Sequence, residues 1–215
     1  MMSFLISCKS DKIIKHSTIT EVYEVKGNAN ERSAKGPLKY MEWEEYEGEK
    51  LLVKSYYNAN QTVKGREVYQ YSNEGIRPSG SLYYDSEGAL QSTYKFSYVD
   101  TLKSRVEAFA GDTDELLRIE RFQYDTNGNM VVRMILEADE SPQRIFRFGH
   151  DEFGNEVNMT MTDGSGNKLL TETYEIVTID EQNRWVEKFG YLNDDSLPIT
   201  FYNIRRNDLR QKEIK

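Results

Sequence analysis

Phe122-Gln123-Tyr124-Asp125-Thr126-Asn127-Gly128-Asn129-Met130 carries two instructions. Phe122 and Tyr124 alternate with a polar residue, the period-two pattern of a half-buried strand. Asp125-Thr126-Asn127-Gly128 then ends that strand. The Asp carboxylate can accept a hydrogen bond from backbone two residues on, and Gly takes the positive-φ position that a tight reversal needs. A strand followed at once by such a turn predicts an antiparallel hairpin.

The signal repeats in both directions. Tyr71-Ser72-Asn73-Glu74-Gly75 and Tyr84-Asp85-Ser86-Glu87-Gly88 precede it, and His150-Asp151-Glu152-Phe153-Gly154 follows. Weaker forms are Val99-Asp100, Gly111-Asp112, Ala138-Asp139, Thr162-Asp163-Gly164-Ser165-Gly166, Ile179-Asp180-Glu181-Gln182-Asn183 and Asn193-Asp194-Asp195. Turn-opening residues fall at 72, 85, 100, 112, 125, 139, 151, 163, 180 and 194, a spacing that predicts a long run of short strands. Between them, Thr93–Tyr98 alternates polar and aromatic residues, and Val157–Thr162 alternates apolar and polar ones. Trp185, Glu187, Phe189 and Tyr191 continue the theme. Asp114-Glu115-Leu116-Leu117-Arg118 is the best helix start, but Gly111 and the strand-like run after it hold it to a turn.

The Phe122–Met130 stretch is similar to the YD repeat of Rhs-type bacterial surface and toxin-shell proteins, which reads aromatic-x-Tyr-Asp-x-x-Gly-x-hydrophobic. Tyr83–Leu90 and Phe148–Val157 resemble degenerate copies, as does Tyr69–Ile76 with Ser72 in the Asp place. The resemblance spans residues 40–205. It implies strands stacked in a long antiparallel sheet and an extracytoplasmic setting, and it implies no activity. The expected fold is therefore all-β: an extended antiparallel β-meander of about 10–13 short strands built from YD-like hairpin repeats, the sheet open or partly rolled. Residues 38–205 form this β-repeat domain. Residues 9–37, with Lys26-Gly27-Asn28-Ala29-Asn30 and Lys35-Gly36-Pro37, read as polar tether and loop, and residues 206–215 as a polar tail.

Leu5-Ile6-Ser7-Cys8 resembles a bacterial lipobox, in which a small residue precedes an acylated Cys. Residues 1–8 then read as a residual signal, although only seven uncharged residues precede Cys8, fewer than a full signal peptide carries. The resemblance implies lipid attachment at Cys8, the membrane as partner through that anchor, and an outer-membrane lipoprotein of the cell envelope.

Composition narrows the partners. Asp and Glu number 36 against 28 Lys and Arg, a formal net charge of -8. The one basic cluster is Arg205, Arg206 and Arg210, which argues against nucleic acid. Fifteen tyrosines suit half-exposed sheet faces, ring packed and hydroxyl wet. A single cysteine excludes an internal disulfide. No stretch after residue 8 approaches the roughly 20 apolar residues of a spanning helix.

No catalytic constellation emerges, and no cofactor is implied. His16 falls in the expected tether and His150 at a turn, neither beside a nucleophile motif. Cys and His are too few for a zinc site. Glu44-Glu45, Asp112 with Asp114, Glu137 with Asp139, and Asp194-Asp195 read as solvated turn and strand-edge charges. A glycosidase using turn carboxylates such as Asp125 and Asp151 is the remote alternative. Asp125-x-Asn127-x-Asn129 and Asp163-x-Ser165-x-Asn167 space oxygens as calcium loops do, but Leu136 and Tyr174 stand where the twelfth-position Glu belongs. Turn chemistry explains both, and no metal is expected.

Tyr56, Tyr57, Tyr69, Tyr71, Tyr83, Tyr84, Tyr94, Tyr98 and Trp185 could form a sugar-binding surface, although cross-strand pairing accounts for such rings without a ligand. The expected function is a cell-envelope lipoprotein whose repeat body is a structural or binding surface for protein or carbohydrate, its ligand residues unassigned. The alternative is a lipoprotein-carrier-like barrel holding an acyl chain. Arg121 and Gln123 share a face with Leu117 and Ile119, and Arg147 follows Ile145 on its face, which argues against a sealed apolar cavity.

Overall fold

A computed structural model describes residues 15–25, 36–72, 75–193 and 200–210. Cys8, Asn73, Glu74, Asp194 and Asp195 lie outside them. Fourteen strands follow one another: β1 (Lys15–Val25), β2 (Leu38–Glu47), β3 (Lys50–Asn58), β4 (Val63–Tyr71), β5 (Pro78–Asp85), β6 (Leu90–Val99), β7 (Leu102–Ala110), β8 (Leu116–Tyr124), β9 (Met130–Glu137), β10 (Pro142–His150), β11 (Glu156–Asp163), β12 (Lys168–Ile179), β13 (Trp185–Asn193) and β14 (Thr200–Arg210). Each pairs antiparallel with the next, and β14 pairs back onto β1 from Val25↔Phe201 to His16↔Arg210.

All-β is right, but the open or partly rolled meander of about 10–13 strands is not. The sheet closes into a 14-stranded barrel. Two readings of the termini account for the error. Lys15–Val25, expected as tether, is the strand that receives the chain's last one, and His16 within it stacks on Tyr46 with ring centroids 4.7 Å apart. The expected tail is strand as far as Arg210. With both in place no long edge is left unpaired, which removes the aggregation hazard of an open sheet.

The turns follow the local chemistry closely. Nine of the ten expected openings fall at strand junctions, and the tenth, Asp194, is outside the described residues. Asp125 N–H donates to the Asn129 carbonyl (2.9 Å), and Gly128 N–H donates to the Asp125 carbonyl (3.1 Å). The same pair of bonds closes the turns opening at Asn58, Asp85, Glu137, Asp151, Asp163 and Asp180. The fourth residue of each has positive φ, from 59° at Asn183 to 90° at Gly166. This is a type I turn followed by a left-handed residue, a connection that keeps neighbouring strands in register.

At Asp85, Asp125, Asp151, Asp163 and Asp180 one carboxylate oxygen accepts N–H groups two and four residues on, all at 2.8–2.9 Å. The side chains of Asn129, Asn167 and Arg184, and backbone Ala89 at Asp85, hold four of these carboxyls below the usual carboxylate range. Their stabilising contribution is therefore complete above the unfolded value of 3.8 and disappears as pH falls through the lower folded values. The melting temperature should drop between about pH 5 and pH 2, and Asp125→Asn with Asp163→Asn should flatten that dependence. An unchanged pH profile in the double variant would remove these turns from the acid-labile set.

Candidate functional site

Strand alternation and register sort the side chains into two faces. Following direct partners round the sheet, Glu42 meets Tyr56, Glu67 meets Tyr83, and Ser81 meets Tyr94, then Ala108 and Arg118. The same face continues through Phe122, Arg133, Phe146 and Met161, then Glu172, and returns through Lys188, Ile204 and Val22 to Tyr40. It closes on itself consistently. It is the inner face, because its side chains reach past their neighbours, as they must where a curved wall converges. Tyr56 on β3 meets Tyr83 on β5 (6.1 Å), and Tyr69 on β4 meets Phe96 on β6 (6.4 Å). Along β4, β6 and β12 these residues are half-buried or buried while their alternates are mostly exposed.

The lumen is polar and aromatic. Lys54 bridges Glu42 (2.7 Å) and Glu44 (3.3 Å). Tyr56 donates to Glu67 (3.2 Å), and the fully buried Ser81 hydroxyl donates to the other oxygen of Glu67. Gly65 faces Tyr56, and a Cβ there would collide with the Tyr83 hydroxyl and the Tyr84 carbonyl. The missing side chain lets the Tyr83 ring lie across it. Burial, reinforced by the Glu67 charge, pushes the Tyr56 and Tyr69 phenols far above their ordinary range.

Next to this group stand three cations. Glu120, 6% exposed, accepts Arg118 Nε (3.2 Å) and Arg133 Nη2 (2.8 Å) on separate oxygens. Each cation lies over a ring: Arg118 over Tyr94, Arg133 over Phe146 and Lys103 over Phe96, at 5.8, 5.6 and 4.1 Å. On the β11–β13 side, buried Lys188 sits 3.6 Å from the Tyr174 ring centroid and 4.8 Å from that of Trp185. Desolvation lowers the Lys188 ammonium against the opposing pull of Glu156 and Glu172, and desolvation raises the Glu156 carboxyl. Towards the end where the chain enters and leaves, Tyr71, Tyr98 and Tyr124 donate to the carbonyls of Leu51, Pro78 and Lys103, each at 2.8 Å.

Of the sequence-level tyrosines, Tyr56, Tyr69, Tyr71, Tyr83, Tyr94 and Tyr98 follow the inner face, whereas Tyr57 and Tyr84 pair on the outer one with Met41 and Arg66. Asp125 and Asp151 remain in turns at one rim, their carboxylates engaged by Asn129 and Asn155. In the calcium-like spacings, Asp125 and Asp163 spend both carboxylate oxygens on the turn's own donors. The lumenal charges Lys54, Glu67, Lys103, Glu120 and Lys188 were not singled out from sequence. Their signal is a charge two residues from an aromatic on one strand, as in Lys54/Tyr56, Glu67/Tyr69 and Glu120/Phe122.

The outer wall has a different character. Arg66, Lys95 and Arg147 point outward from mid-strand and are exposed. Ile119 and Leu136 pair on this face and are buried, 1% and 3% exposed. The neighbouring arginines Arg105 and Arg121 oppose each other, and Glu140 of the β9–β10 turn pairs with both, which relieves the like-charge contact. A lipid-spanning barrel presents a continuous apolar band, where an Arg at mid-depth costs about 2–4 kcal/mol. This wall is built for water. A concavity of about 590 Å³ lies where the β12–β13 turn overhangs Ile19, Glu21 and Met41, but Arg184 there is already paired with Asp180 and Asp208.

Fold and lumen together define the class: a closed antiparallel β-barrel with a tyrosine-lined, charged interior and a wet outer wall. No protein-family model and no curated protein matches the sequence. Among solved structures, the chain is similar in fold to a porin-like protein from Bacteroides uniformis, at 11% identity and a TM-score of 0.50, over 91% of this chain and 96% of that one. Two weaker likenesses are a Photorhabdus luminescens Tc holotoxin pore and a LolA-superfamily protein from Nitrosomonas europaea. The first has 13% identity and a TM-score of 0.35, over 86% of this chain and 11% of that one. The second has 7% identity and a TM-score of 0.32, over 94% and 87%.

Proposed function

We propose that this protein is a cell-envelope binding barrel that holds a carbohydrate in its lumen and is anchored to the outer membrane through an acylated Cys8. The observation that carries the first part is the inner face, where Tyr56, Tyr69, Tyr83 and Tyr94 alternate with Lys54, Glu67, Arg118 and Glu120. Sugar C–H faces pack on aromatic rings, while hydroxyls need both donors and acceptors. A lumen of rings, carboxylates and cations offers all three. The same face disfavours an acyl chain, because a methylene run would displace water from the charged groups of Glu67, Lys103 and Lys188 and offer them no hydrogen bond in return.

Binding of an oligosaccharide library to the Cys8→Ser protein tests this reading. Tyr69→Ala should weaken a hit at least about tenfold, and outward-facing Tyr84→Ala should leave it unchanged. Displacement of a lipophilic dye by palmitate, with no glycan bound, would replace the carbohydrate reading by the acyl-carrier one. For the anchor, β1 begins at Lys15, so Cys8 would hold that rim within about 25 Å of the bilayer if extended. Cells grown on labelled palmitate should label the wild-type full-length reading frame and not Cys8→Ser. An unlabelled wild type in the cytosolic fraction removes both the anchor and the envelope location.

A further inference from the structure

We propose that the lumen contains an anion subsite centred on Lys103, so that the saccharide it takes carries a carboxylate or equivalent negative group; this rests on the carbohydrate reading above.

The case is one of charge accounting. Lys103 points to the inner face between Phe96 and Glu120, its Nζ 4.1 Å from the Phe96 ring centroid. It forms no ion pair with a described residue. Glu120 is committed to Arg118 and Arg133, one oxygen each. Glu67 is committed to the hydroxyls of Tyr56 and Ser81. Glu42 and Glu44 on the same face are committed to Lys54, so every neighbouring carboxylate is already engaged and the Lys103 ammonium is left without a bonded one. Desolvation lowers its pKa, and the more distant Glu67 and Glu120 only partly offset this.

A half-buried cation without a bonded counter-charge costs folding energy. Apolar replacement of such a group is often neutral or stabilising. An incoming anion would restore the balance through a charge-assisted hydrogen bond in a medium of lower dielectric than water. Ring and charge lie together: Phe96 beneath the ammonium, with Tyr94 two residues along the same inner face. A sugar ring stacked on the aromatics would carry its acidic substituent to Lys103, with Arg133 adding long-range attraction.

The Lys188 group differs in sign. There one ammonium faces Glu156 and Glu172, so an anion is not favoured. The contrast allows an internal control. Two matched probes, a tetramer of galacturonate and a tetramer of neutral galactose, would be titrated calorimetrically into the Cys8→Ser protein, its Lys103→Met variant and its Lys188→Met variant.

The acidic tetramer should bind about tenfold or more tightly than the neutral one, a ratio typical of one charge-assisted contact. Lys103→Met should abolish that ratio while retaining the neutral tetramer, and Lys188→Met should preserve the ratio. Independently of any ligand, Lys103→Met should melt at or above the parent temperature. Equal affinity for the two tetramers overturns the anion subsite and leaves the carbohydrate reading standing. Failure of both tetramers to bind at millimolar concentration, with Lys103→Met melting below the parent, overturns the subsite as well, because Lys103 is then a structural cation. Failure of both with Lys103→Met melting higher overturns the subsite too, the unpaired cation then being a cost the fold carries with no saccharide to offset it.

Discussion

A Gly36→Ala variant is expected to melt well below wild type and well below Gly128→Ala, the reverse of what a loop at residues 26–37 would give. Gly128 sits at φ +85° with open space where a Cβ would be, so alanine there costs about 1–2 kcal/mol of left-handed backbone strain. Gly36 has an ordinary φ but no room. Its Cβ would fall on the carbonyl of Glu24, whose own N–H donates to the Pro37 carbonyl at 3.0 Å. Both obstacles are backbone within the β1–β2 connection, so the chain must move and part of the β1 pairing must go. Overpacking of this kind costs about 3 kcal/mol, roughly 6–12 °C in melting temperature for a domain of this size. Thermal melts followed by circular dichroism of the two variants decide it. Equal melting temperatures would mean that Gly36 is not pressed against β1.

Removing Thr200–Lys215 is expected to abolish cooperative unfolding and leave aggregated protein. β14 is the closing strand, paired to β13 from Glu187↔Arg205 to Leu192↔Thr200 and to β1 along its length. Without it, two long strands present unpaired N–H and C=O groups to solvent, a template for association between chains. The loss also breaks a seam of side chains. Thr18 donates to Asp208 at 2.9 Å, and Glu187 accepts Asn203 (2.7 Å) and Arg205 (3.0 Å). Size-exclusion chromatography with a thermal melt is sufficient. A monomeric, cooperatively melting truncation would restore the open sheet.

Half of the candidate site was legible in the sequence. The abundant tyrosines on alternating strands pointed to ring-bearing faces, and six of them do follow one inner face. The charges between them were not legible as a site. Arg118, Glu120 and Arg133 acquire their meaning from partners on three strands, and nothing in the local alternation says that Glu120 will be buried between two guanidiniums. By alternation alone Arg121 and Gln123 are polar intrusions into the apolar face of Leu117 and Ile119. In the barrel they lie on the outer wall, and the lumen is polar for a different reason: Glu67, Lys103 and Lys188 face inward.

What the sequence determined by itself is the series of strands and reversals. That information is local. The Asp125 carboxylate meets N–H groups two and four residues on, and Tyr124 is placed by the period-two geometry of its own strand. Such contacts form whatever the rest of the chain does. Closure is another matter. Thr18 and Asp208 stand 190 positions apart, and whether they meet depends on twist and register summed over fourteen strands. An alternating strand is indifferent to which of its faces becomes concave. The tertiary structure made that choice when β14 reached β1, and with it placed the tyrosines and their charges inside.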